Sequence, residues 1–146
     1  MSEELGRTPT GHFAFGCQAP DAGNSELLLQ HGTDAQKAAY LEPLARGEVR
    51  SCFLMTEPEF PGSNPVLMGT TAVADGDDWV INGHKWFATA ADGAAFGICM
   101  AVTEADAPRH QRASMIIVHM DDDGVELVRN IPVMGHGGHG WFSHGE

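Results

Sequence analysis

From Val49 to the end of the chain, every apolar run is too short for a helix, and this constrains the fold more than any other feature. The runs read VRSCFLM, MGTTAVAD, WVING, HKWFAT, FGICMAVT, SMIIVHM and GVELVR. Glycine and aspartate separate them, at Asp75 to Asp78, at Asp92-Gly93 and at Asp121 to Gly124. Asn82-Gly83 reads as a further hairpin turn, because both residue types tolerate positive φ. Short strands at this spacing, with no helices between them, predict an antiparallel barrel or sandwich. The 18 glycines and 8 prolines suit such a turn-rich plan.

The first 48 residues follow a different pattern and read as helical. Asn24 or Ser25 is placed to cap SELLLQH, and Gly32 to close it. Thr33 starts a second helix, with Gln36 at capping-box spacing. Ala38, Ala39, Tyr40 and Leu41 continue that helix, Pro43 ends or kinks it, and LARGE leads out of it. Two short helices joined this tightly form a hairpin that must bury its apolar faces on something else. The boundary between the helical and β parts lies near Gly47, and the chain has no internal repeat or low-complexity linker.

The net charge is −12, from 20 acidic against 8 basic residues. That balance argues against nucleic acid and anionic membrane surfaces as partners. No apolar run approaches the roughly 20 residues that span a bilayer. The start, MSEELGRTPTG, lacks the basic and apolar regions of a secretory signal. Cys17, Cys52 and Cys99 are odd in number and widely spaced, so they read as free thiols in a reducing compartment. Without a CxxC pair, they do not predict a zinc site.

Two segments carry candidate chemistry. On a strand, Phe53 and Met55 face one way and Leu54 and Thr56 the other. Pro58 then takes the chain out of the ladder beside Glu57. The turn Gly62-Ser63-Asn64 adds a hydroxyl and amides able to approach a pyrophosphate or a polar ring edge. The plain alternative is an ordinary strand end with a proline-rich loop. In the second segment Trp86 and Phe87 are expected on opposite faces. Phe87 and Thr89 then share a face, so a ring and a hydroxyl can address one heterocycle. Its plain alternative is one core and one surface aromatic. His136, His139 and His144 lie close together in GHGGHGWFSHG and form a competing metal candidate. That stretch holds no acidic or cysteine ligand, and its glycines make it costly to order. The aspartates before Gly124 lack the alternating acids of a calcium loop and read as a solvated turn.

Taken together, CFLMTEP followed by WVINGHKWFATAA resembles the middle β-domain of the acyl-CoA dehydrogenase family. The resemblance extends further. CQAPDAGNSELLLQHGTDAQKAAYLEPLARGEVRSCF is similar to the end of that family's helical N-terminal domain, and GVELVRNIPVMGHGG to a later strand and loop. The resemblance implies an α+β chain. Residues 1–48 would close the helical domain, and 49–146 would form an antiparallel β-barrel incomplete at its C-terminal end. It implies FAD as cofactor. Phe53 would pack beside the flavin and Thr56 would hydrogen-bond its pyrimidine side. Phe87 would lie against the ring where Trp is more usual, and Thr89 would donate near N5. Ser63 would sit near the pyrophosphate or the acyl-CoA entrance.

The family reaction is α,β-desaturation of an acyl-CoA thioester, with electrons passed to an electron-transfer flavoprotein. Its catalytic base is a glutamate in a C-terminal helical domain, and none of the acids here matches it. The resemblance therefore implies a fragment, inactive alone, of a homodimer or homotetramer in the bacterial cytoplasm or mitochondrial matrix. The phosphates of FAD and coenzyme A would need backbone amides or basic residues from elsewhere, given the acidity of this chain. The rival readings are an acyl-CoA oxidase fragment, a non-catalytic binding module and a histidine-rich metal binder.

Overall fold

A computed structural model describes residues 1–8, 10–135 and 137–146. The N-terminal third is helical. Two single turns, α1 (Ser2–Leu5) and α2 (Gly11–Ala14), precede the longer α3 (Asp21–His31). Next come α4 (Asp34–Gln36), a π-helical stretch (Lys37–Leu41) and α5 (Glu42–Ala45). The capping box forms as its spacing predicts. Gln36 N–H donates to Thr33 Oγ1 at 3.2 Å, and Thr33 N–H donates to Gln36 Oε1 at 2.9 Å. Gly32 closes α3, its N–H donating to the Leu28 carbonyl at 2.9 Å.

One helical detail differs from expectation. The α3 helix starts at Asp21, so Asn24 lies inside it and is buried rather than capping it. Its amide is used in tertiary contact instead, donating to Ser51 Oγ at 2.9 Å and the Cys52 carbonyl at 3.0 Å. Asp21 completes the junction by accepting the Ser51 N–H at 2.9 Å and the Ser51 hydroxyl at 2.7 Å. Pro43 distorts its helix rather than ending it, and the helix continues to Ala45. The π stretch lies immediately before it, with Glu42 N–H bonded to the Lys37 carbonyl. This wider turn accommodates the missing proline N–H and the bulk of the ring.

The β part is built on β5 (Phe96–Val102). Beside it lie β1 (Ser51–Leu54) and β6 (Ala113–His119), and the hairpin of β2 (Thr71–Asp75) and β3 (Asp78–Asn82) joins at Val102. A separate pair is formed by β4 (Ala88–Thr89) and β7 (His144–Gly145). The antiparallel barrel or sandwich expected from strand spacing is found only in part. β1 runs parallel to β5, from Ser51 opposite Phe96 to Leu54 opposite Cys99. Among the described residues the sheet is mixed and open. The physical reason is that the β2–β3 hairpin and β4 lie between β1 and β5 in the chain. That length allows a crossover, which a tight turn does not.

Asn82-Gly83 is not a hairpin turn. The β2–β3 hairpin turns at Gly76-Asp77, and β3 has no ladder with β4. Glycine is needed at 83 for another reason: a Cβ there would fall 2.6 Å from the Cβ of buried Thr70.

Strand alternation divides the interior. On one face Leu28 and Leu44 of the helices meet Phe96 and Ile98, with Tyr40 and Phe53 packed around them. On the other, Cys52 meets Ala88, Ala91 and Ala94, with Leu54 and Met120 alongside. The helical hairpin thus covers one side of the sheet. A cavity of about 660 Å³ lies on the other, lined by Leu54, Ile81, Lys85, Ile116, Val118 and Leu127 among others. All three cysteines are free; Cys52 and Cys99 are buried and Cys17 is exposed. Among the described residues, no helix is long and apolar enough to cross a membrane.

Candidate functional site

A second cleft, of about 400 Å³, opens between α3 and the strand ends. Ala19, Pro20, Gly23 and Asn24 form its helical wall, and Phe53, Phe87 and Thr89 form its β wall. Three of the five residues singled out from the sequence therefore meet in one place. None of the five lines the larger cavity.

Phe53 is placed by β1, whose alternation turns it toward the helices while Cys52 and Leu54 turn away. Phe87 arrives by another route than the expected strand alternation. Residues 83–87 are not strand, and Phe87 has φ +51°, in the left-handed region. That backbone turn brings Trp86 and Phe87 into edge-on contact, with ring centroids 4.8 Å apart, rather than onto opposite faces. It also leaves Phe87 exposed at the mouth of the cleft, at 42%. A bulky residue in this conformation costs on the order of 1–3 kcal/mol, and such strain clusters at binding and catalytic sites.

Thr56 is half-buried and lies beside the cleft rather than lining it. Its hydroxyl donates to the Trp86 carbonyl at 2.5 Å, and Trp86 N–H donates back to the Thr56 carbonyl at 3.0 Å. The two site segments are thereby joined. Ser63 is exposed in the loop after Pro58 and lies outside the cleft.

The neighbouring Glu57 strengthens this junction, and its partners are not evident from sequence. It is 3% exposed and accepts the Gly69 N–H at 2.6 Å, the Thr70 N–H at 2.9 Å and Lys85 Nζ at 2.9 Å. Lys85 also donates to the Met55 carbonyl at 3.0 Å. Burial opposes the charge, but the hydrogen bonds from Thr70, Lys85 and Gly69 outweigh it and hold the Glu57 carboxyl down at about 2. Sequence reading placed Glu57 only at a strand end. Its distance from Lys85 along the chain hides their pairing.

The described histidines of the glycine-rich tail, His139 and His144, have separate partners. His139 lies 3.3 Å from Asp92 Oδ2, and that carboxylate also accepts from Asn130 at 2.8 Å and from Gly140 N–H at 3.3 Å. His144 Nδ1 lies 3.1 Å from Thr89 Oγ1. His136 lies outside the described residues. Among those residues, no group of three or more metal-ligating side chains converges.

The cleft suits a flat, uncharged heterocycle. Its lining offers two aromatic rings and a hydroxyl but no charged group. A Cβ built on Gly23 meets nothing within 4 Å, so the helical wall leaves room at that point. These features fit the isoalloxazine ring of a flavin, and the same lining offers no cation for its diphosphate.

Comparison with known proteins agrees with this architecture. Residues 52–144 match the profile of the acyl-CoA dehydrogenase middle domain, and residues 1–48 that of the acyl-CoA dehydrogenase N-terminal domain. The chain belongs to the acyl-CoA dehydrogenase family. It is 40% identical over 152 residues to acyl-CoA dehydrogenase family member 11 of Mus musculus, covering 99% of this chain and 19% of that protein. A solved acyl-CoA dehydrogenase structure from Mycobacterium abscessus superposes with a TM-score of 0.93 at 40% identity, over 99% of this chain and 36% of that one. A glutaryl-CoA dehydrogenase from Mycobacterium smegmatis, solved in complex with FADH2, gives 0.69 at 30% identity, over 84% of this chain and 30% of that one. The chain thus spans about a fifth of the first relative and about a third of the solved structures.

Proposed function

We propose that this chain is the flavin-ring-binding portion of an FAD-dependent acyl-CoA dehydrogenase. Residues 1–48 end its helical domain and 49–146 belong to its middle β-domain, whose sheet closes into a barrel in the whole protein. The observation that carries this reading is the convergence of Phe53, Phe87 and Thr89 on one uncharged cleft beside α3. Bound FAD supplies the hydride acceptor for α,β-desaturation of an acyl-CoA thioester.

The residues of this chain bind and orient. Phe53 packs beside the ring system, and Phe87 lies against it and shields it from water. Thr89 presents its hydroxyl toward N5. Thr56 acts at the pyrimidine edge in one direction only. Its single proton is committed to the Trp86 carbonyl, so its oxygen accepts, as from the ring N3–H. The Thr56–Trp86 and Glu57–Lys85 pairs hold these groups in register. Ser63, on its exposed loop, serves the pyrophosphate or the acyl-CoA entrance.

Among the described residues no carboxylate lines the cleft, so the base that removes the α-proton comes from beyond these walls. In this reading the whole protein is a homodimer or homotetramer of the bacterial cytoplasm or mitochondrial matrix. It passes electrons to an electron-transfer flavoprotein.

The test uses the full-length protein, purified with its flavin and mixed anaerobically with a panel of acyl-CoA thioesters. Bleaching of the yellow flavin band by at least one thioester is expected. Oxidised flavin that persists across the whole panel overturns the reading.

A further inference from the structure

Thr89 Oγ1 and His144 Nδ1 are 3.1 Å apart and sit directly opposite each other on the short β4–β7 ladder. The pairing is held from outside that ladder as well. Ala90 N–H donates to the Ser143 carbonyl at 2.9 Å, and Ile131 N–H donates to the His144 carbonyl at 2.8 Å. Both side chains are half-buried, and Thr89 also lines the cleft.

A threonine hydroxyl has one proton to give, and an imidazole nitrogen either carries a proton or a lone pair. The contact therefore has two polarities. With a bare Nδ1, the Thr89 proton points to His144 and the cleft meets an oxygen lone pair. With a protonated Nδ1, His144 donates to Thr89 and the hydroxyl proton is free to enter the cleft.

We infer that His144 is a positioning residue that sets the direction of the Thr89 hydroxyl, and so decides whether Thr89 offers the flavin ring a donor or an acceptor. The inference rests on the flavin reading given above. It has a chemical rationale there, because N5 accepts a hydrogen bond in the oxidised ring and donates one in the reduced ring. A hydroxyl able to reverse serves both states, whereas one fixed as donor serves only the first. His144 therefore has a use other than the metal site its glycine-rich surroundings bring to mind.

Other titratable groups lie on the elements packed against this pair. Asp92 follows β4, and its N–H donates to Ser143 Oγ at 3.1 Å. Arg129 and His139 come from the segment between β6 and β7. Glu146 lies beyond β7, bonded to Arg129 at 2.6 Å and 3.2 Å from His84.

The experiment follows the absorption spectrum of the oxidised flavin against pH in the full-length FAD-loaded protein, without acyl-CoA. It is repeated on His144→Gln, Thr89→Val and His139→Gln, with FAD content measured for each. A one-proton spectral transition is expected in the unsubstituted protein and in His139→Gln. It should be lost, per bound flavin, in His144→Gln and in Thr89→Val. A flavin spectrum that neither changes with pH in the unsubstituted protein nor differs between it and His144→Gln overturns the inference and leaves the flavin reading intact. So does a transition that survives in Thr89→Val, which keeps His144 and removes only the hydroxyl. A full-length protein that holds no flavin overturns the reading and the inference together.

Discussion

Glu57 is charged although it is buried, because two backbone amides and the Lys85 ammonium supply what water would have supplied. Its folded-state value, about 2, lies below the ordinary 4.5. A depressed carboxylate adds stability that is fully present above the unfolded value and is lost as the pH falls through the folded one. The window is therefore pH 4.5 down to 2, and the shift corresponds to roughly 3 kcal/mol. Denaturant titration of the full-length protein should show stability falling as the pH drops below 4.5, with a shallower slope in Glu57→Gln. Lys85→Met leaves the carboxylate buried without its cation and should cost about 3–5 kcal/mol at neutral pH, measured the same way. Phe87 is the opposite case, a residue whose backbone is strained at φ +51° while its ring stays exposed. Phe87→Gly removes that strain together with the ring. It should leave the melting temperature within a few degrees, or raise it, while weakening flavin retention on dialysis about tenfold or more.

At the level of elements, the local signals that succeed need only near neighbours along the chain. The Thr33–Gln36 capping box, the Gly32 helix end and the turn before Asp78 are of this kind. Two misread ones, Asn24 and Asn82-Gly83, involve a distant partner. Asn24 has a capping side chain, but Ser51 and Cys52 claim its amide, so it sits within the helix. Asn82-Gly83 has hairpin composition, yet its glycine is required by Thr70 packed against it. Gly83→Ala should therefore destabilise by about 1–3 kcal/mol through overpacking, although alanine suits strand backbone better than glycine does. Urea unfolding of the full-length protein checks this, and Thr70→Ser in the same background should recover only part of the loss, because the Thr70 Oγ1 and Cβ remain in the way.

For the molecule as a whole, the helical hairpin covers one face of the sheet and leaves much apolar surface elsewhere. The β2–β3 hairpin is exposed along most of its length, including Val73, Trp79 and Val80. Among the described residues, β3 pairs with β2 alone, so its other edge offers free backbone donors and acceptors. The 146-residue chain expressed by itself should accordingly self-associate at micromolar concentration in sedimentation velocity. Trp79→Ser with Val80→Thr should reduce that association. A single monomer boundary for the unsubstituted chain, together with a sharp reversible melt, would contradict the expectation.

The amino-acid sequence by itself determined the division into a helical start and a β remainder, the capping box, three of the four marked turns and the family. It also marked Phe53, Phe87 and Thr89, which share one cleft, because the motif that carries them is a property of neighbouring residues. Only the tertiary structure decided that β1 lies parallel to β5, that Thr56 gives its proton to Trp86, and that Glu57 is paired with Lys85. Only it set Ser63 apart from the cleft and brought His144 opposite Thr89. In each of these cases the partner is remote along the chain. Register, the direction of a hydroxyl proton and the charge of a buried acid depend on which distant groups packing brings within about 3 Å.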